Sequence, residues 1–205
     1  QWEYTTGAGN YIPIEWWLNY SPNPQTYNGV YAAIVNAVSI GIHVVEAGGN
    51  GGVNTGGLVW FGNSGAIIVG AGGAYPGGPY PEGNLQKLAF SSYGSRFDLQ
   101  GWGEDVVTTG YGFLYNADGP NLYYTGSFAG TSSASPIVAG AVACCVGYWK
   151  ATIGTPLPTP AFLRSTLILT GTPQVMPPAG NIGPRPNLRA AINSLCNCPG
   201  QGDIA

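Results

Sequence analysis

Residues 130–140 read Gly-Thr-Ser-Ser-Ala-Ser-Pro-Ile-Val-Ala-Gly and run into an apolar segment that continues to Trp149. Few folds accept such a stretch. Small residues let a backbone turn sharply and approach other groups closely. The residues that follow include Val138, Ala141, Val142, Cys145, Val146 and Trp149, with few polar residues between them. A helix that is apolar nearly all round is expected to be buried. Ser132 falls in its first turn, where unpaired N–H groups and the positive end of the dipole favour developing negative charge. A serine carried there on a central helix is a candidate nucleophile.

The surroundings predict an α/β chain. Glu15 to Tyr20 reads as a short strand ended by Ser21-Pro22-Asn23-Pro24. Tyr31, Ile34, Val35 and Val38 share one face of a helix over 31–40, with Gly41 placed to end it. Ile42–Glu46 and Ala66–Ala71 are apolar and rich in β-branched residues, the mark of parallel strands covered on both faces. The first of these strands delivers Glu46-Ala47-Gly48-Gly49-Asn50-Gly51-Gly52. Ligands in open α/β sheets lie beyond the carboxyl ends of strands. Asn50 sits there on a glycine turn, with an amide able to meet an oxyanion.

Residues 130–136 resemble the Gly-Thr-Ser-x-Ala-Ser-Pro nucleophile segment of the subtilisin-like serine peptidases. Ala47–Gly52 resembles the segment of that family that carries the oxyanion-hole asparagine. Leu88–Gly94, Phe97–Gly103, the strand Val106–Gly110 continuing the same ladder, Thr170–Pro173 and Gly183–Leu188 resemble further elements, so the likeness covers about residues 16–195. It implies a three-layer fold with a mostly parallel central sheet flanked by helices, incomplete because the N-terminal part is absent from this chain. Residues 1–205 would then be the C-terminal portion of a single catalytic domain. The implied activity is peptide-bond hydrolysis through an acyl-enzyme, with Ser132 as nucleophile and Asn50 in the oxyanion hole. Glu46, Ala47, Gly48 and Gly49 would line the substrate pocket, with Leu58–Phe61 at its floor and Trp16–Tyr20 pairing with an extended substrate. Glu46 would either favour basic side chains or serve as a hydrogen-bonded wall residue.

Such chemistry needs a base and a group that orients it. In the family both precede the asparagine, and this chain begins after them. Its only histidine is His43, seven residues before Asn50. An extended chain would separate the two by roughly 20 Å, so His43 reads as structural. Three explanations follow. The chain is the C-terminal product of a nicked peptidase that keeps its N-terminal fragment; a separate polypeptide supplies the aspartate and histidine; or the domain is catalytically inactive and serves as a binding or structural module.

Charged residues make up 7% of the chain and the six cations are scattered, which disfavours nucleic-acid binding. No uninterrupted apolar run reaches the roughly 18 residues of a membrane helix, and no membrane is expected. Four cysteines and few lysines or glutamates point to an oxidising, secreted or extracellular setting. At least one disulfide is expected between Cys144 or Cys145 and Cys196 or Cys198. No cofactor is expected; a structural calcium ion is compatible with the resemblance, with no residue assigned to it.

Overall fold

The computed structural model describes residues 12–17, 28–56, 62–74, 85–175 and 180–196. Three parallel strands lie at its centre: β1 (Val45–Ala47), β2 (Ile67–Gly72) and β3 (Leu99–Trp102), in that spatial order. Every residue of β2 is buried, as its unalternating Ile67-Ile68-Val69 run requires of a central strand. Helices α1 (Ile14–Trp17) and α2 (Asn28–Ser39) precede the sheet; α3 (Thr131–Thr152), α4 (Pro160–Thr170) and α5 (Leu188–Cys196) follow it.

One sheet face presents Ile67, Val69 and Leu99 to Ala134, Val138, Val142 and Cys145 of α3, with Leu163, Leu167 and Leu195 behind them. Full burial of each such side chain contributes about 1.5–3 kcal/mol. The other face packs Ile68 against Ile12, Phe97 and Ile182. This is a layered α/β arrangement, with a parallel sheet flanked by helices on the faces described. The start of α3 sits directly on β3, because an added Cβ at Gly101 would lie 2.4 Å from the Ala134 carbonyl oxygen. Asp98 ties α4 to the sheet. It takes Arg96 Nη1 at 2.6 Å, Arg164 Nη2 at 2.5 Å and the Ile68 N–H at 2.9 Å.

Gly41 ends α2 as the sequence predicts. The Gly41 N–H donates to Val38 O and the Ile42 N–H to Ala37 O, closing the helix through a residue at φ 92°. This closure also corrects the strand expected over Ile42–Glu46. Ile42 still completes the helix end and is 51% exposed, so β1 spans only Val45–Ala47. It is an edge strand among the described residues, paired with β2 alone. The strand expected over Glu15–Tyr20 is a helix over Ile14–Trp17, and its remaining residues lie outside the described ones. Val106–Thr109 (β4) does not continue the central ladder; it pairs antiparallel with β5 (Tyr124–Phe128) in a separate hairpin. Thr170–Pro173 and Gly183–Leu188 meet through a bridge between Thr172 and Arg185.

The expectation that α3 is buried all round is also corrected. Its sheet-facing stripe is buried, while Pro136, Ala139, Gly140, Cys144 and Gly147 are exposed, because the sheet covers one side only. By length and composition this helix could cross a bilayer, yet here it packs on the sheet as a core helix. Cys144, Cys145 and Cys196 are free thiols. Neither helix cysteine is therefore bonded to Cys196. Cys144 faces away from the core and Cys145 into it, and the Cys196 thiol meets the Tyr148 hydroxyl. Cys198 lies outside the described residues.

Candidate active site

Two loops meet at the carboxyl ends of β1 and β3. The first leaves β1 as Gly48, whose N–H still holds Val69 O at 2.8 Å. It is fastened along Leu88–Gly94: Gly52 N–H donates to Phe90 O at 2.7 Å, Ser92 N–H to Gly49 O at 3.0 Å, and the Ser92 hydroxyl accepts from Gly51 and Val53 N–H. The second follows β5 and enters α3 at Gly130, whose N–H holds Gly103 O, just past β3, at 2.8 Å. The Ser133 hydroxyl donates toward Trp102 O at 2.9 Å and Gly130 O at 2.8 Å, closing this turn onto the strand.

Thr131 joins the loops. Its N–H and its hydroxyl both donate to Asn50 Oδ1, at 2.8 and 2.9 Å, while its Oγ1 accepts the Gly49 N–H at 3.1 Å. An amide whose oxygen is held by two donors has only one orientation left, so the Nδ2 end is fixed. Gly130 makes room for it. That residue has φ 107°, and a Cβ there would lie 3.2 Å from Asn50 Nδ2. The sequence singles out Asn50 and Ser132 but not the Thr131 clamp or the Ser92 brace; both sit inside the very motifs that carried the resemblance.

Ser132 is the second residue of α3, and neither its hydroxyl nor its N–H has a hydrogen-bond partner among the described residues. The N-cap Gly130 has no side chain, Asn50 Oδ1 takes the Thr131 N–H, and the Ser133 and Ala134 N–H groups reach Gly130 O. Among the described residues the Ser132 N–H is thus the open amide of this first turn, at the positive end of the dipole. Beside Ser132 opens a cleft of about 360 Å³, lined by Val45, Ser135, Pro136 and Ala139 as well.

His43 leads into β1 while Asn50 follows it, so the strand places them at opposite ends. The imidazole is half-buried against the Pro158 carbonyl, and burial pushes its pKa down. Asp98 is spent on its two arginines, and Asp118 holds the Tyr115 hydroxyl in the β4–β5 hairpin. Ala47, Gly48 and Gly49 form the backbone that runs to Asn50; Gly48 and Gly49 are buried. Glu46 is only 6% exposed. Burial first, and the neighbouring Glu15 second, push its carboxyl up to about 8. A carboxyl whose charged form burial disfavours has less charge to offer a basic side chain. Leu58–Phe61 lie outside the described residues. Among the described residues, no three His, Cys, Asp or Glu side chains converge as metal ligands.

The model of the subtilase family matches residues 10–181. An extracellular serine proteinase of Thermus sp. (strain Rt41A) is 28% identical over 167 residues, covering 82% of this chain and 35% of the relative. The chain thus spans about a third of that relative's length. Among solved structures, a lanthipeptide protease aligns with TM-score 0.61 at 18% identity, over 86% of this chain and 58% of its own. Fervidolysin from Fervidobacterium pennivorans, a keratinolytic enzyme related to subtilisin, aligns with TM-score 0.58 at 22% identity, over 80% and 24%. These two likenesses are of fold.

Proposed function

The chain belongs to the subtilase family, and on that premise we propose that residues 1–205 are the nucleophile-bearing, C-terminal portion of one catalytic domain of a secreted serine endopeptidase. The observation that carries this reading is the clamp: a Ser132 hydroxyl at the start of α3 with no hydrogen-bond partner among the described residues, near an Asn50 amide whose orientation Thr131 fixes. An extended polypeptide lies along the Ala47–Gly49 backbone with its scissile carbonyl over Ser132. Ser132 Oγ attacks the carbonyl carbon as a base takes its proton. The new oxyanion is met by Asn50 Nδ2 and by the Ser132 N–H at the helix terminus. Collapse expels the amine, protonated by the same base, and leaves an acyl-enzyme that water then hydrolyses.

The base and its orienting acid come from a segment outside this sequence, either an N-terminal fragment or a second chain. His43 faces the wrong end of β1 to serve, and the open cleft along Val45, Ser135, Pro136 and Ala139 offers such a segment a seat within reach of Ser132. The extracellular setting of the Thermus relative, together with the charge-poor composition, supports secretion. The test is peptide hydrolysis by the complete protein and its Ser132→Ala variant, with intact-mass analysis of what copurifies. Abolished turnover in Ser132→Ala and a copurifying or covalently continuous segment bearing Asp and His are expected. Undiminished turnover in Ser132→Ala rules out the assignment.

A further inference from the structure

A charge cluster is buried under β1, on the sheet face away from α3. Glu46 pairs in register with Ile68, whose side chain belongs to that face. Glu46 and Glu15 are 6% and 2% exposed. Their carboxyl groups face one another, with the Ser64 hydroxyl near Glu15 and the Glu15 backbone near Glu46, and none of the four oxygens has a well-aligned hydrogen bond among the described residues. The groups around them are few. Arg96 Nη2 stands 3.9 Å from Glu15 Oε1, but Arg96 is already committed to Asp98 and to Ala66 O at 2.7 Å. Arg164 is committed to Asp98 and Asn63. Among the described residues, the Ser64 hydroxyl and the Tyr31 phenol complete the surroundings. Three carboxyls, Glu15, Glu46 and Asp98, therefore share two guanidiniums. With all three ionised, one negative charge would lie uncompensated out of water, and such a site takes up a proton instead.

We propose that Glu15 and Glu46 share one proton, and that the neutral pair is a positioning element for the Asn50 loop that fails when alkaline pH removes the proton. Glu46 is the middle residue of β1, and the loop begins two residues later at Gly48, held by its N–H to Val69 O. A charge forced beneath β1 acts on the strand that carries Asn50. Burial raises both carboxyls, and the titration belongs to the pair rather than to either residue.

The sign follows from linkage. A folded-state pKa raised from 4.5 to about 8 means that the folded protein holds a proton the unfolded chain has lost across that window. The pair's contribution to stability is then fully present below pH 4.5 and is lost as pH rises to about 8, by up to tenfold in the folding constant per pH unit. Denaturant unfolding of the full protein between pH 5 and 9 should show this decline. Glu46→Gln, which mimics the neutral acid, should abolish it and fold at least as well as wild type above pH 7. Glu15→Gln should move it to lower pH by removing a negative neighbour. Infrared spectra should show a protonated carboxyl at pH 7 that is absent in Glu46→Gln. An unchanged pH slope in Glu46→Gln, equal destabilisation at every pH, failure of that variant to fold, or no protonated carboxyl in wild type would each overturn the shared proton. The positioning role rests on the peptidase reading. It predicts that the alkaline fall in kcat moves upward in Glu46→Gln, and an unmoved fall in that folded, active variant removes it. The unfolding and infrared results stand whether or not the protein hydrolyses peptides.

Discussion

Asn50→Asp separates the two duties of Asn50. Oδ1 accepts from the N–H and hydroxyl of Thr131, and the proposed mechanism gives Nδ2 the second duty of donating to the oxyanion. Aspartate keeps an acceptor for both Thr131 donors, and a carboxylate at the N-terminal end of α3 is favoured by the dipole. It cannot donate. Alanine loses both duties. Two hydrogen bonds at a net of about 1 kcal/mol each put the stability loss of Asn50→Ala near 2 kcal/mol, against little change for Asn50→Asp. The catalytic loss should run the other way. Removing one oxyanion donor costs about 10²–10³ in kcat, roughly 2.7–4 kcal/mol, a scale carried over from subtilisin, in which it was measured. Aspartate should lose at least as much as alanine, because its charge opposes the oxyanion. KM should move little, since the bond strengthens only in the transition state. The assay is steady-state hydrolysis of a peptide substrate by the complete protein, alongside denaturant midpoints. The order expected for stability is wild type and Asn50→Asp above Asn50→Ala; for kcat it is wild type far above both. A kcat for folded Asn50→Asp within threefold of wild type, about 0.65 kcal/mol, would refute the reasoning.

Three further outcomes test the frame around the site. Gly101→Ala drives a Cβ to 2.4 Å from the Ala134 carbonyl and should cost about 1–3 kcal/mol in thermal or denaturant unfolding. Asp98→Asn removes the buried partner of Arg96 and Arg164 and should cost about 3–5 kcal/mol by the same measurement. Peptide mapping after brief alkylation of the native protein should find Cys144 modified before Cys145, because Cys145 is buried and its thiol is pushed up by that burial.

The parts legible in the sequence were those whose pattern is local. The Ile67–Val69 run announced a central strand, Gly41 announced a helix end, and the Gly130–Pro136 motif announced the turn into α3. What the sequence concealed depends on distant partners. The apolar composition of α3 gave no sign that only one side would be covered, since that depends on which elements reach it. Ile42 looked like strand because β-branched residues favour strands, but the hydrogen bond from its N–H to Ala37 O claimed it for the helix end. Glu15 read as part of a strand and Arg96 as one of several scattered cations; only packing brings them beneath β1 with Glu46 and Asp98. The Thr131 clamp likewise joins residues 81 positions apart.

The central claim is that Ser132 is a nucleophile held ready beside Asn50. A fluorophosphonate probe applied to the complete protein, followed by peptide mapping, tests it most directly. The account predicts a single phosphonylated serine at position 132, with labelling lost in Ser132→Ala. Complete protein left unlabelled at Ser132, whether it reacts at another serine or at none, would contradict it.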